Sequence, residues 1–398
     1  MKDFKMSVQE TVGERIGENK NPFIYGKAVT GKELCDREDE IRKLTQIARD
    51  SGRIFILSPR RYGKSSLILA LLESLKNQGF LTAYIDLSRV TSYRELMGVY
   101  STSIAKAAEK RVEKVVDFIK KVSKGIRPVL SFDHEGKPII TLEYSLTEEQ
   151  ACSYLSAIYD LPDEIAKRRD KKFVVAFDEF QEIRNLNGEQ VEKAMRSHFQ
   201  FHYNTAYIFS GSKTSILTDM ISNANRAFYK MGDIMVLNKL PHEVFKRFLE
   251  KKFIESGFTL RGDVMEKILS VTREIPYNAQ FLCHKLWERY LPEKEIDEGK
   301  VEELIAQTIF ENYDYYLGIW DTLSGNEKKV IKAMAFHEGE DVLTDEFCVR
   351  VGFGLEKLRE VVQQLGTKGL VVRERRSFFI VDFLFREWIR REFIRWTG

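Results

Sequence analysis

At 398 residues the chain is too long for one ordinary hydrophobic core, so two or three domains are expected. Charged residues make up 31% and hydrophobic residues 43%, a globular balance that excludes long disorder. The formal net charge of +3 excludes a globally basic nucleic-acid binder, so any basic surface has to be local. Cys35, Cys152, Cys283 and Cys348 stand far apart with no C-x-x-C pair, which argues for reduced packing thiols and against a zinc site. The first twenty residues carry Lys2, Asp3, Lys5, Glu10 and Glu14 and lack the apolar stretch of a secretory signal. With no uncharged apolar run long enough to span a bilayer, no transmembrane segment and a cytoplasmic location are expected.

After an N-terminal extension of residues 1–20, five near-continuous apolar runs read as inner strands of a parallel sheet covered on both faces. They are Arg53 to Leu57, Leu81 to Leu87, Phe173 to Phe177, Ala206 to Phe209 and Ile234 to Leu237. Ser65 to Lys76 is apolar nearly all round and runs into Gly79, a buried helix with a glycine stop. An insertion at about 126–145 reads as a surface hairpin around His134-Glu135-Gly136-Lys137. This α/β core is assigned to 21–240. From Pro241 the periodicity turns helical, predicting an all-helical subdomain over 241–318. In 319–398, helices over Asn326 to His337, Thr344 to Val351 and around Leu355 to Leu365 precede strands Leu370 to Val372 and Phe378 to Val381, the pattern of a winged helix.

Ser58-Pro59-Arg60-Arg61-Tyr62-Gly63-Lys64-Ser65 lies between a predicted strand and a predicted helix. Such a loop turns backbone N–H groups inward and aims the positive helix end at phosphate. Gly63 lets the backbone approach, Lys64 reaches the β- and γ-phosphates, and Ser65 offers a hydroxyl to Mg2+. Pro59, Arg60, Arg61, Tyr62 and Ser66 complete the expected nucleotide contacts, and Ser58 stands where the G-x-x-x-x-G-K-[ST] pattern has its first glycine. Phe173 to Glu179 is an apolar strand ending in two acids: Asp178 is expected to hold magnesium and Glu179 to orient and deprotonate the attacking water. The adjacent acids point to ATP hydrolysis. Ser210 or Ser212, at the end of another strand, could contact the γ-phosphate or the water.

With these motifs the chain resembles the archaeal-type P-loop ATPase family of the AAA+ and STAND lineage. Asn21-Pro22-Phe23, Cys35 to Glu40, Pro59 to Ser65, Phe177-Asp178-Glu179-Phe180-Gln181, Ser210-Gly211-Ser212 and Ile275-Pro276-Tyr277 carry the resemblance. It implies an ASCE-type sheet with a helical lid and a winged helix. It also implies that Arg37 lies on the adenine side of the nucleotide and that the region of Pro276 closes on it. Asp36 and Glu274 stand where relatives have glycine. Arg226 is a candidate trans-acting arginine in a homo-oligomer, against the reading of an ordinary surface arginine.

The expected cofactors are thus ATP and Mg2+, and the expected activity is a nucleotide-dependent switch. The alternatives are a scaffold that holds nucleotide as structural filler and a DNA-binding regulator. Arg373, Arg375 and Arg376, with Lys357, Arg359 and Lys368, could neutralise DNA phosphates, yet Glu356, Glu360 and Glu374 interleave with them, so DNA and a protein partner both remain open. Phe385 to Trp396 reads as a basic amphipathic helix whose aromatic face packs on the winged helix, with membrane contact as the alternative. His198, His202 and His284 read as structural.

Overall fold

The computed structural model describes residues 20–108, 116–117, 127–132, 138–143, 158–186, 188–212, 214–337, 341–374 and 377–393. Two units emerge, one of Lys27–Leu240 and one of Pro241 onward together with the segment that ends at Gly26. Among the described residues of the first unit seven strands follow in chain order: β1 (Arg53–Leu57), β2 (Leu81–Asp86), β3 (Arg127–Phe132), β4 (Pro138–Glu143), β5 (Phe173–Asp178), β6 (Thr205–Gly211) and β7 (Asp233–Val236). Five of them form one sheet in the order β2-β5-β6-β1-β7, every neighbour parallel. β3 and β4 form a separate antiparallel pair, and the expected hairpin tip, His134 to Lys137, lies outside the described residues.

Strand alternation sorts the two faces of this sheet. Phe55, Phe177 and Phe209 point one way and stack across three strands, with centroids 4.8 Å apart for Phe55–Phe209 and 5.6 Å for Phe177–Phe209. Ile54, Ile56, Val174, Ala176, Ala206 and Ile208 point the other way, onto Leu67, Ile68, Leu71 and Leu75 of helix Lys64–Asn77. At the end of this helix Gly79 is left-handed (φ 91) and Phe80 N–H donates to Leu75 O at 3.0 Å, the glycine stop that the sequence predicts.

Asp160 precedes helix Leu161–Arg169. Its Oδ1 lies 2.8 Å from His198 Nδ1 and 2.9 Å from His202 Nε2, and His202 Nδ1 lies 2.7 Å from the Tyr207 hydroxyl. Burial pushes the Asp160 carboxyl up, but its bonds to His198 and His202 outweigh this and hold it well below the carboxylate range. A depressed carboxyl stabilises the fold above its unfolded value, about 4, and that contribution fades as pH falls through the folded value. Asp160→Asn should therefore cost about 1 kcal/mol at pH 7, discounted for partial exposure. The gap should begin to narrow below about pH 4 and close only as pH falls through the folded value. Thermal midpoints of both proteins from pH 7 to pH 3 check this, and a gap that does not shrink on acidification contradicts it.

Asp36, before helix Glu38–Arg49, adopts φ 43. Partial burial, and then the nearby carboxylates of Glu38 and Glu40, push its carboxyl up. Left-handed backbone disfavours a side chain, so Asp36→Gly is expected to stabilise the unit by about 0.5–1 kcal/mol. That corresponds to a midpoint roughly 1–4 °C higher. A lower midpoint would refute the conformational account. Glu274 is also left-handed (φ 57), but its carboxylate holds His242 Nδ1 at 2.8 Å, a contact that glycine would lose.

The second unit carries helices His242–Glu255, Val264–Thr272, Pro276–Arg289, Glu298–Glu311 and Tyr313–Asp321. It is not wholly helical. Thr259–Leu260 and Glu295–Ile296 form a two-stranded parallel pair between helix ends, too short to show as a period in the sequence. Asn21-Pro22-Phe23, assigned to the α/β core by sequence, packs on these helices instead. Phe23 is buried against Phe253 at 4.4 Å, Lys252 Nζ donates to Pro22 O at 2.6 Å, and His284 Nδ1 donates to Phe23 O at 2.6 Å. Helices Gly325–Phe336, Asp345–Val351 and Leu355–Thr367 follow, then the antiparallel strands Val371–Glu374 and Ser377–Ile380 and helix Phe383–Glu392. Phe385, Trp388 and Ile389 of the last helix are fully buried, so its aromatic face belongs to the core of this unit.

Candidate active site

β6 separates β1 from β5 although it follows both in sequence, so three chain segments leave the same sheet edge side by side. Leu57 pairs with Gly211, and Phe177 with Phe209. The 58–65 loop, Asp178-Glu179 and Ser210-Gly211-Ser212 thereby share the carboxyl edge, where open parallel sheets bind ligands.

The loop is built to receive an anion. Arg61 (φ 73) and Gly63 (φ 86) are left-handed, and Gly63 directly precedes helix Lys64–Asn77. No side chain caps that helix, and its first turn holds no acid. Its leading N–H groups, which lack intrahelical acceptors and carry the positive end of the dipole, are thus left to a ligand. Ser58 is fully buried and its Oγ donates to Pro59 O at 3.1 Å, closing the turn where the pattern expects glycine.

Below the loop lies a buried charge cluster. Lys64 Nζ contacts Asp178 Oδ1 and lies 3.0 Å from Glu179 Oε1. Asp178 also accepts from Ser65 Oγ at 2.6 Å, Tyr84 OH at 2.7 Å, Ser210 Oγ at 2.8 Å and Glu179 N–H at 2.9 Å. Burial pushes the Asp178 carboxyl up, but the Lys64 ammonium and the Ser65 and Tyr84 hydroxyls outweigh it and bring it down to about 2. Glu179 is likewise held below the ordinary range: burial opposes, while Lys64, Ser212 and Gln181 prevail. Burial, and then the charge on Asp178, push the Tyr84 hydroxyl up, so it stays a protonated donor. Glu179 adopts φ 52, strained backbone of the kind that concentrates at functional sites.

These residues fit magnesium and a polyphosphate. One ammonium against two carboxylates leaves the cluster net negative, and Ser65 and Asp178 offer hard oxygen donors. Among the described residues no group of three or more His, Cys, Asp and Glu could hold a metal by itself. A cation that takes most of its ligands from phosphate and water suits so sparse a donor set.

The remaining predicted residues are placed as follows. Ser212 Oγ donates to Glu179 Oε2 at 2.7 Å, and Arg60 Nε to Ser212 Oγ at 3.4 Å. Ser66 turns away and accepts from Val29 N–H at 3.0 Å, and the Tyr62 side chain is buried. Arg37 is buried, with Glu40 at 2.7 Å and Asn238 O at 2.9 Å, which neutralises and anchors its guanidinium. Pro276 opens helix Pro276–Arg289 in the second unit, where a missing N–H costs nothing. Arg226 is no ordinary surface arginine: its side chain is only 10% exposed and lies 2.5 Å from the buried carboxylate of Glu192. It lines an open cavity of about 350 Å³ with Lys193, Arg196 and Tyr229, none of which belongs to the three motifs.

Sequence reasoning missed Tyr84 and the role of Gln181. Tyr84 is one polar tip in the apolar run of β2, and only the strand order reveals that β2 neighbours β5. Gln181 closes the Phe177 to Gln181 motif, but its partner Glu179 is reached only through the turn between them.

A family model for an ATPase domain predominantly from Archaea matches residues 34–277. Among solved structures, the Walker-type ATPase PABY2304 of Pyrococcus abyssi is similar with a TM-score of 0.62 at 18% identity, over 93% of this chain and 99% of that one. The ORC2 protein of Aeropyrum pernix, solved as ADPNP–ADP complexes, gives a TM-score of 0.54 at 13% identity, over 95% of this chain and 99% of that one. At these identities the likeness is one of fold, here that of the P-loop NTPases. No curated protein matches the chain.

Proposed function

Because the chain belongs to the family of ATPase domains found predominantly in Archaea, we propose that it hydrolyses magnesium-bound ATP at the carboxyl edge of its parallel sheet. The observation that carries this reading is the convergence of Lys64, Ser65 and Ser210 on Asp178, beside an uncapped helix end. Ser65 and Asp178 would hold Mg2+, which supplies charge neutralisation across the phosphate oxygens. Lys64 binds phosphate with its ammonium, and the first turn of its helix does so with N–H groups. Glu179, kept ionised, orients the attacking water and accepts its proton, while Ser212 steadies the carboxylate. Arg226, bound to Glu192, acts in this reading as a structural residue. Phosphate release from ATP with magnesium and with excess chelator tests the proposal: release only with the metal supports it, and no release in either condition sinks it.

The C-terminal helices and strand pair have the element order of a winged helix, and we propose a protein partner for it. Lys357 is paired with Glu360 at 2.8 Å and Lys368 with Glu327 at 2.9 Å, which sets a carboxylate against two of the charges that a DNA contact would use. Arg375 and Arg376 lie outside the described residues. Among the described residues no helix is long and apolar enough to cross a membrane.

A further inference from the structure

Glu179 and Phe180 turn the chain back over the sheet. Glu179 supplies the left-handed bend, and Phe180 inserts fully buried against Phe209, ring centroids 4.6 Å apart. The turn returns Gln181, 2% exposed, to the end of β6. There Gln181 Nε2 donates to Glu179 Oε2 at 2.6 Å, the same oxygen that accepts from Ser212 Oγ at 2.7 Å. Glu179 Oε1 meanwhile faces Lys64 Nζ at 3.0 Å. Gln181 Oε1 is buried without a hydrogen-bond partner, and a Cβ built on Gly211 would come within 2.2 Å of it. Gly211 is not left-handed, so space and not backbone freedom demands glycine there. Burying an amide with an unpaired carbonyl costs stability, so a residue kept only for packing would be apolar.

We infer that Gln181 is a positioning residue for Glu179. With Ser212 it fixes one carboxylate oxygen, leaving Oε1 as the atom that turns from Lys64 to the attacking water, and Gly211 provides the space it occupies. The inference rests on the reading of Glu179 as the group that takes the proton of the water. It unites two motif residues, Gln181 and Gly211, around one oxygen of Glu179.

Gln181→Met keeps length and volume and removes the amide. Its nucleotide affinity is expected to stay within about 2-fold of the parent, while single-turnover ATP cleavage slows at least about 10-fold. A second readout needs no nucleotide. Gly211→Ala presses on Gln181 and should lower the thermal midpoint by several degrees, and adding Gln181→Ala should recover most of that loss. Cleavage by the double variant should nonetheless stay as slow as in Gln181→Met. If Gln181→Met cleaves at the parental rate while Glu179→Gln is inactive, the inference fails and the proposed hydrolysis stands. Parental cleavage by Glu179→Gln overturns both. A double variant no more stable than Gly211→Ala also overturns the inference, because Gln181 would then not be what fills the space.

Discussion

Glu179→Gln is expected to bind ATP at least as tightly as the parent and to turn it over about 10²–10⁴-fold more slowly, the range that a lost general base commands. The substitution is nearly isosteric, so the left-handed turn at 179 and the insertion of Phe180 survive it. What changes is charge. Lys64 Nζ faces both Asp178 and Glu179, and with one carboxylate gone its ammonium is less neutralised and more available to phosphate. Affinity should therefore hold or rise while the proton acceptor is lost. ATP retained through gel filtration, with phosphate release measured in parallel, checks both halves. Turnover equal to the parent would remove Glu179 from the mechanism, whatever the affinity.

How much of this was legible in the sequence follows from how local each signal is. The glycine-lysine-serine loop, the apolar strand ending in Asp178-Glu179 and the strand ending in Ser210-Gly211-Ser212 each announce themselves within eight or fewer consecutive residues. For the two acids the edge follows from a physical rule, since a strand buried on both faces can end in charge only where it emerges. The structure puts all three there because β6 lies between β1 and β5. That strand order, and with it the Tyr84 hydroxyl on Asp178, depends on pairings between distant segments that no local pattern encodes. The same holds for Asn21-Pro22-Phe23, whose hydrogen-bond donors, on Lys252 and His284, and ring partner, Phe253, lie over two hundred residues away.

Backbone conformation was legible only indirectly. Asp36 and Glu274 occupy positions where the resemblance places glycine in relatives, and both are left-handed here (φ 43 and 57). The turns persist and their strain is met differently, by the His242 contact for Glu274 and by no such partner for Asp36. Glu179 had no glycine precedent to betray its φ of 52. Arg226 shows a different limit. Composition suggests exposure for an arginine in a polar loop, but the buried Glu192, pushed up by its burial and drawn back by Arg226, recruits it into the unit.

Lys64→Ala is expected to abolish measurable ATP binding, and its second consequence distinguishes the present geometry from a generic phosphate-binding lysine. The Lys64 side chain is 6% exposed and that of Asp178 4%, so the pair is buried. Removing one partner of a buried pair costs about 3–5 kcal/mol, because the other charge is left uncompensated. Here two carboxylates lose their shared cation, and the nucleotide-free variant should melt roughly 6–20 °C below the parent. Adding Asp178→Asn removes part of the stranded charge and should restore several degrees without restoring ATP binding. Calorimetric ATP titration and thermal midpoints of the parent, the single and the double variant separate the two roles. If Lys64→Ala melts with the parent, the ammonium is not what neutralises Asp178 and Glu179, and the account of why both acids stay ionised fails. If the double variant binds ATP, phosphate recognition does not depend on Lys64, and the loop reading goes with it.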